Sequence, residues 1–287
     1  QKYGSSGRTG AEMLAEAKRA YENGAFRYCM VYSGRGPRKK RIEKLSGIIR
    51  KIKDNYPIEV CLSPGLIDAE DAETLKAAGL DRFNHNLNTS KTYYDKICTT
   101  HTYEDRLNTL KSVQKAGIGM CSGIIVGMGE SSEDIVEVAL KLRELKSNSI
   151  PVNFYMPIPG NTMGQKNPLT PEYCLRVLCL FRFLNPTSEL RMAAGREMHL
   201  RNMQSLGLFV ANSLFMDGYL NTKGGNAPDT LAMIRDAGFT IKADRPVEAI
   251  INAIENGAKE KGPETGTSLS DPSITIKSTT DLRPTTA

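Results

Sequence analysis

Several features that would assign this chain to a familiar class are missing from its 287 residues. No stretch approaches the ~18 consecutive uncharged apolar residues of a membrane-spanning helix, so we expect no membrane partner. The first residues do not form the basic, apolar and small-residue segments of a secretory leader, and a cytoplasmic protein is therefore expected. No two of the six cysteines are spaced as C-x-x-C, which excludes zinc-ribbon and thioredoxin-type motifs.

The composition that remains is typical of a globular protein. Hydrophobic residues make up 40% of the chain and charged residues 24%, a balance that excludes fibrous, mucin-like and wholly disordered classes. The length of 287 residues suits either two domains or one α/β barrel of ~200–250 residues followed by a tail.

Positive charge is concentrated near the N-terminus. Residues 1–60 contain 14 Lys or Arg against 6 Asp or Glu, and the densest run is R-G-P-R-K-K-R at 35–41. This run is typical either of a nucleic-acid or anion patch or of the solvated start of a helix. Pro37 suits a first helical turn, and no aromatic residues interleave with the charges. The helix is therefore favoured, and no nucleic-acid partner is expected.

Short apolar runs alternate along the chain with longer segments of helical periodicity. The expected strands cover 26–32, 58–62, 82–87, 119–126, 151–156, 189–192 and 209–213. The expected helices cover 11–23, 37–55, 69–78, 102–116, 132–145, 171–184, 197–205 and 229–237. Repeated strand–helix units predict a parallel sheet with right-handed crossovers. The fold class predicted is α/β, a (β/α)8 TIM-type barrel that lacks its first strand.

A doubly wound open sheet is the alternative fold, but the Gly-rich fingerprint expected after its first strand is absent. The predicted domain organisation is an incomplete barrel over 1–240, a helical extension over 241–261 and a tail over 262–287. The tail is rich in Gly, Pro, Ser and Thr and has no apolar period, which is typical of a disordered segment.

Three cysteines fall where a barrel places its chemistry, towards the C-terminal ends of strands. Cys29, Cys61 and Cys121 lie on three different predicted strands, so they converge in space if the barrel forms. Thiolates from separate strands suit an iron–sulfur cluster. Buried cysteines also pack as small hydrophobic residues, and both interpretations stay open. The other cysteines fall in loop or helix contexts, where packing is expected: Cys98, Cys174 and Cys179.

Polar side chains occupy several other predicted strand ends. The segment N-H-N-L-N at 84–88 holds three amides and an imidazole, and burying these groups without partners would be costly. It suits either recognition of a urea-like or carboxylate group or a turn with Asx capping. Asn153 and Arg191 are further polar residues on apolar strands. The turn G-M-G-E at 127–130 is a weaker candidate for close backbone approach to a ligand.

Taken in order, these blocks resemble the biotin synthase family of radical SAM enzymes, whose fold is a (β/α)8 barrel. The resemblance covers roughly residues 5–240. Its blocks are Y-C-M at 28–30, V-C-L at 60–62, N-H-N-L-N-T-S at 84–90, T-T-H-T-Y-E-D-R-L-N-T-L at 99–110, C-S-G-I-I-V-G-M-G-E at 121–130, P-T-S at 186–188, A-A-G-R-E at 193–197 and A-N-S-L-F at 211–215.

The resemblance implies a metal-binding role for four residues. Cys29, Cys61 and Cys121 match the cysteines that hold the family's auxiliary iron–sulfur cluster, either [2Fe–2S] or [4Fe–4S], which supplies the sulfur. Arg191 matches an unusual arginine ligand of that cluster. No further side chain is implied as a catalytic residue, because the radical chemistry belongs to the cofactors.

The resemblance also implies residues that bind the small molecules. Asn86 and Asn153 match positions that contact dethiobiotin or S-adenosyl-L-methionine (SAM). Asn88 stands where some relatives have an aspartate near the SAM ribose, and Arg106 matches the arginine that pairs the SAM carboxylate. Two further positions match the lining of the adenine pocket: Ile125 and Met156.

One part of the family pattern is absent. The C-x-x-x-C-x-x-C loop that binds the radical [4Fe–4S] cluster occurs nowhere in the chain, and in relatives it lies just before the segment where Gln1 begins. Together with the missing first strand, this leads us to expect an N-terminally truncated sequence. The chain as given is then expected to accept an auxiliary cluster and to show no SAM cleavage.

The activity implied is SAM-dependent insertion of sulfur into dethiobiotin, with an electron donor such as flavodoxin or ferredoxin and a homodimeric assembly. Two alternatives stay open. One is a sister radical SAM enzyme with another substrate, although the three cysteines and Arg191 argue against it. The other is a non-catalytic barrel that binds a ligand or a partner.

Overall fold

Parallel pairing organises the whole sheet. The computed structural model describes residues 9–254 except 33, 158–168, 216–226, 243–245, 247 and 253. Its strands are β1 Arg27–Val31, β2 Glu59–Ser63, β3 Arg82–Asn84, β4 Gly119–Cys121, β5 Ile124–Val126, β6 Ser149–Phe154, β7 Glu189–Met192 and β8 Ser213–Leu214. They pair in the order β1-β2-β3-β4-β6-β7-β8, and β5 also pairs with β6. Every pairing is parallel.

Helices follow the strands, as the alternation predicts. They are α1 Gly10–Glu22, α2 Lys39–Asn55, α3 Ala69–Ala77, α4 Tyr103–Lys115, α5 Ser132–Glu144, α6 Pro171–Leu184, α7 Arg196–Leu200, α8 Gln204–Gly207 and α9 Ala227–Asp236. Within the described residues β1 and β8 end the sheet and do not pair with each other. The α/β TIM-type fold with an incomplete barrel is therefore confirmed.

Local sequence explains where most of these helices begin. Thr9, Thr102 and Ser131 each accept a hydrogen bond from the backbone three residues on, and the acidic side chain there bonds back to the cap. The basic helix α2 has no such cap and no acidic residue in its first turn. Its stability therefore comes from burial, since one face packs Ile42, Leu45, Ile48, Ile49 and Ile52 into the core.

Strand residues alternate between the helices and the barrel interior. Val60 and Leu62 are fully buried in the cluster formed with α1, α2 and α3. A second cluster packs α4, α5 and α6 against β5, β6 and β7. Because successive side chains point to opposite faces, the residues between these apolar positions face the interior.

The predicted strand over 119–126 is interrupted. It forms two short strands, β4 and β5, because the chain at Gly123 passes directly against its neighbour β6. A Cβ atom on Gly123 would lie 1.9 Å from the carbonyl oxygen of Pro151. Only glycine allows this close approach.

The predicted strand over 209–213 was wrong in position. Residues 209–211 instead close turns after α8, with the Ala211 N–H donating to the Gly207 carbonyl at 2.7 Å. Strand pairing with β7 begins only at Ser213. The backbone of residues 209–211 is therefore hydrogen-bonded in turns and not to β7, although the apolar sequence of this segment is typical of a strand.

The C-terminal divisions predicted from sequence are only partly covered. Ile250 and Ile251 pack with Leu231 and Ile234 of α9 in a small third cluster. The boundaries of the 241–261 extension stay a prediction, and the 262–287 tail lies outside the described residues. No helix in the described part of the chain has the length and apolar character needed to cross a bilayer.

The contact at Gly123 gives a stability prediction. Gly123→Ala should destabilise the protein by about 1–3 kcal/mol, because the methyl group overlaps the Pro151 carbonyl and the strands must separate. Urea unfolding followed by circular dichroism measures the difference.

Gly47→Ala is the matched control. Gly47 lies inside α2 with no atom within 4 Å of its Cβ position, so this change should stabilise the helix by about 0.5–1 kcal/mol. Equal stability of Gly123→Ala and the unmodified protein would contradict the close approach.

Candidate functional site

The three cysteines singled out in the sequence meet in the barrel interior. Cys29 of β1 stands directly opposite Cys61 of β2 in the parallel ladder. Cys121 of β4 stands opposite Asn84 of β3. The Cys61 thiol interacts with both of the other thiols, and all three are free thiols. The three cysteines are far apart in sequence, and the pairing of their strands brings them into one cluster.

Charge in this cluster is distributed unevenly. The hydrogen bond to Cys61, the positive charge of Arg191 and the amide of Asn84 lower the pKa of the Cys121 thiol to about 6, against the opposing effect of burial. The bond to Cys61 and the Arg191 charge also lower the pKa of Cys29. The pKa of Cys61 is raised, because its interactions with the Cys121 and Cys29 thiols favour the protonated form and because it is buried. The interior therefore stabilises thiolates at its two flanks.

Arg191 is the cation of this layer. It lies on β7, it is buried, and its Nε donates to the Ser213 hydroxyl at 2.9 Å. Burial alone would lower the pKa of its guanidinium. The thiols of Cys121 and Cys29 and the carboxylate of Glu189 together have the larger, opposite effect, so the pKa is raised overall. Arg191 thus stays charged beside the thiols, and its charge compensates negative charge on them.

A layer of ion pairs lies at the N-terminal ends of the same strands. Arg27 donates to both carboxylate oxygens of Glu189 at 2.9 and 2.8 Å, and to Glu59 at 2.8 Å. Glu189 also pairs with Arg191. Burial alone would raise the pKa of Glu189, but these arginines lower it to about 2. Glu189 is therefore the anion that holds both guanidinium groups.

A cavity of about 1500 Å³ reaches this cluster from the open edge of the sheet. Its lining comes from the end strands β1 and β8 and from the charged layer, and it includes Cys29, Arg191 and Phe215. Cys61 and Cys121 lie deeper and are buried. The thiol cluster therefore has one accessible side.

The donor set fits the implied auxiliary cluster. Three interior thiols are the soft ligands that iron–sulfur clusters take, and the guanidinium beside them compensates negative charge. Among the described residues, no group of three or more His, Cys, Asp or Glu side chains has an arrangement that would enclose a single metal ion.

A second group of predicted residues lies at the C-terminal ends of the strands. Arg106 extends from α4 and donates to the Asn86 carbonyl at 2.7 Å and to the Tyr94 hydroxyl at 2.5 Å. The Tyr94 ring lies 5.7 Å from the guanidinium carbon. The side-chain oxygen of Asn86 is buried without a hydrogen-bond partner. Such an orphaned acceptor points to a bound ligand that would donate to it.

Asn88 connects this end of β3 to β5. It adopts a left-handed conformation with φ 70°, which asparagine tolerates. Its N–H donates to the Gly123 carbonyl and its carbonyl accepts from the Ile125 N–H. Ile125 is half-buried and stands opposite Asn153 in the ladder. The structure therefore brings Asn88, Ile125 and Asn153 together.

For two predicted ligand-binding residues, Asn153 and Met156, the structure shows no unsatisfied polar group that would indicate a ligand among the described residues. The Asn153 amide already donates to the Ile124 carbonyl at 3.0 Å and accepts from the Ala194 N–H at 3.2 Å, so it also joins three strands. Met156 is half-buried, two residues beyond the end of β6. The ligand-binding roles of both residues stay predictions.

The weaker sequence interpretations concern the turn at 127–130 and two of the remaining cysteines. The N–H groups of Gly127 and Met128 donate to the carboxylate of Glu130 at 2.6 and 2.8 Å, so the turn is held from within. Cys98 packs against the hydrophobic core as expected, and its sulfur also lies 3.5 Å from Thr100 Oγ1 and from His101 Nδ1. Cys174 is fully buried in the core as expected.

Several site residues were missed in the sequence. Their common feature is a polar side chain that supports an implied ligand or binding residue: Arg27, Tyr94, Ser149, Glu189 and Ser213. The charges at the first positions of β1 and β7 are a signal that could have been used, because an unpaired charge at an interior strand position is costly.

Comparison with known proteins agrees with this architecture. Residues 4–142 match the Radical SAM superfamily, and residues 151–240 match the Biotin and Thiamin Synthesis associated domain. The FeFe-hydrogenase maturase HydG from Carboxydothermus hydrogenoformans has a similar fold, with a TM-score of 0.69 at 17% identity over 81% of this chain and 59% of that one. Methylornithine synthase (PylB) has a TM-score of 0.65 at 18% identity over 87% of this chain and 72% of that one. The fold and the matched domains are those of a radical SAM barrel.

Relatives of higher identity narrow the assignment. A biotin synthase of Magnetococcus marinus is 57% identical over 231 residues, which are 80% of this chain and 72% of the relative. A biotin synthase of Leptospira interrogans is 58% identical over 228 residues, which are 79% of this chain and 65% of the relative. The chain belongs to the biotin synthase family.

The lowered pKa of Glu189 gives a pH prediction. A carboxylate whose pKa is lowered on folding stabilises the protein above its ordinary pKa of 4.5, and this stabilisation is lost as the pH falls towards 2. Glu189→Gln should therefore cost on the order of 2 kcal/mol near pH 7 and much less near pH 3, as measured by urea unfolding.

Glu70→Gln provides the comparison. Glu70 pairs with Lys39 on the surface, where both side chains are mostly exposed, so its loss should change stability little at either pH. A cost for Glu189→Gln that did not depend on pH would contradict the role of its charge.

Proposed function

We propose that this chain carries out the substrate-binding and sulfur-supplying part of the biotin synthase reaction, the SAM-dependent insertion of sulfur into dethiobiotin. One observation carries the proposal: three thiols from three strands and the Arg191 guanidinium share one interior layer. A barrel that only binds a ligand has no need for thiolates and a buried cation in contact.

The interior layer that contains the three thiols would hold the auxiliary cluster, which is either [2Fe–2S] or [4Fe–4S]. Cys29, Cys61, Cys121 and Arg191 are its proposed ligands. When bound, the radical [4Fe–4S] cluster and SAM supply the hydrogen-abstracting radical, and the auxiliary cluster supplies sulfur. Glu189 holds Arg191 towards the thiols, and its negative charge compensates two buried guanidinium groups.

The C-terminal ends of the strands would bind the small molecules. Arg106 is presented by Tyr94 and by the Asn86 carbonyl, and we assign it to the SAM carboxylate. The orphaned side-chain oxygen of Asn86 would accept from a donor on dethiobiotin or SAM. Asn88 would bind the ribose of SAM. Asn153 would bind dethiobiotin or SAM. The remaining two half-buried side chains suit the adenine: Ile125 and Met156.

The partners in this proposal rest on membership of the family. They are dethiobiotin, a low-potential electron donor such as flavodoxin or ferredoxin, and a second copy in a homodimer. The same membership supports a cytoplasmic location.

Cluster loading tests the proposal directly. After anaerobic reconstitution with iron and sulfide, the protein should bind iron and develop visible charge-transfer absorbance. Cys61→Ser should lower the bound iron on the order of tenfold or more, because its thiol lies between the other two. Iron and sulfide analysis with Mössbauer spectroscopy measures the content and the cluster type.

Cys179→Ser is the matched control, since Cys179 is a half-buried free thiol on α6. It should load like the unmodified protein. Equal loading of Cys61→Ser and Cys179→Ser would refute the proposed ligand set.

The Tyr94–Arg106 contact gives a second test. Tyr94→Phe removes a hydrogen bond that orients the guanidinium, so it should weaken SAM binding about fivefold, roughly 1 kcal/mol. The affinity for decarboxylated SAM should stay nearly the same, because that analogue lacks the carboxylate. Isothermal titration calorimetry of both compounds measures the ratio.

Tyr93→Phe serves as the control here. The hydroxyl of Tyr93 donates to the Met128 carbonyl at 3.1 Å and not to Arg106. This variant should keep the preference for SAM over its decarboxylated analogue. An equal loss of affinity for both compounds in Tyr94→Phe would argue against the carboxylate assignment.

A further inference from the structure

Asn84 belongs to the amide-rich segment at 84–88 but has no role in the function proposed above. It is the last residue of β3, directly opposite Cys121 in the β3–β4 ladder. Its side chain is half-buried, on the face of β3 opposite to Phe83, which packs into the core. Asn84 therefore lies in the same interior layer as the thiols.

The contact between the two side chains is direct. The Asn84 amide nitrogen, Nδ2, donates to the Cys121 sulfur at 3.2 Å. The backbone around it is fixed, because the His85 N–H donates to the Cys121 carbonyl at 2.9 Å. The ladder thus fixes the backbone of Asn84 beside Cys121.

The donors differ among the three thiols. Cys61 interacts mainly with the two other sulfurs, and Cys29 interacts with Cys61 and with charged arginines. At Cys121 the neutral side chain of Asn84 also donates. The amide of Asn84 is a donor whose charge state does not change with pH and whose position is set by the ladder.

A hydrogen bond to a ligand sulfur has a defined effect on an iron–sulfur cluster. The donor stabilises negative charge on the sulfur, and the reduced cluster carries more negative charge than the oxidised one, so the reduction potential rises. Donors to metal ligands also orient them and slow the loss of metal.

We propose that Asn84 is a positioning residue of the auxiliary cluster, which donates its amide hydrogen to the Cys121 sulfur in the loaded protein and raises the reduction potential of the cluster. The proposal rests on the function given above, because it requires Cys121 to be a cluster ligand. It adds a residue that controls the electronic properties of the sulfur source.

The test compares two variants of the reconstituted 287-residue chain. Asn84→Leu removes the donor, and Asn84→Asp keeps the shape of the side chain but replaces the amide nitrogen with a carboxylate oxygen. Anaerobic redox titration followed by absorbance and electron paramagnetic resonance measures the reduction potential. Both potentials should shift to more negative values, the aspartate variant further, and iron release to a chelator should become about tenfold faster.

Two further variants separate the hydrogen bond from general effects. Asn84→Gln retains an amide donor and should recover part of the potential and of the iron retention. Asn108→Leu changes an exposed asparagine on α4 and should leave both measurements unchanged. If leucine at position 84 prevents folding, as thermal unfolding would show, the isosteric Asn84→Asp decides the question.

The outcomes distinguish the two proposals. An unmodified chain that binds no cluster overturns the proposed function, and the role of Asn84 with it. A loaded Asn84→Leu or Asn84→Asp protein with an unchanged reduction potential overturns the role of Asn84 and leaves the proposed function standing.

Discussion

The carboxylate of Glu189 is the interaction on which the interior of this barrel depends. Two arginines, Arg27 and Arg191, lie almost fully buried, and an isolated guanidinium in that position would be strongly destabilising. Glu189 pairs with both, and Glu59 adds a second anion beside Arg27. With its charge balanced in this way, Arg191 reaches the thiol layer, where its positive charge lowers the pKa values of Cys29 and Cys121.

The interior is consequently arranged in levels of different chemistry. Ion pairs occupy the N-terminal ends of the strands, thiols and one guanidinium lie above them, and amides occupy the C-terminal ends. This order separates a site that favours anionic sulfur from a site that favours neutral hydrogen bonding. Asn84 links the upper two levels, since it donates to Cys121 and is the first residue of the amide-rich segment at 84–88.

The two-residue period of a strand explains how much of this was predictable. It placed Cys29, Cys61 and Cys121 on interior faces, and the alternation of strands and helices predicted a parallel α/β barrel. The resemblance to biotin synthases supplied the proposed roles of Arg191 and Arg106. Tyr94 and Glu189 could not be found in this way, because their importance lies in contacts with residues 12 and 2 positions away whose side-chain directions depend on the packed barrel.

By itself the sequence determined the family, the order of helices and strands, and the residue types available at each strand end, since these depend on local periodicity and on recognisable blocks. Tertiary structure decided which groups meet. The interruption at Gly123 follows from the close passage of Pro151, and the register that sets Asn84 opposite Cys121 follows from strand pairing over 37 residues. Such contacts depend on the relative position of whole elements, which no local pattern encodes.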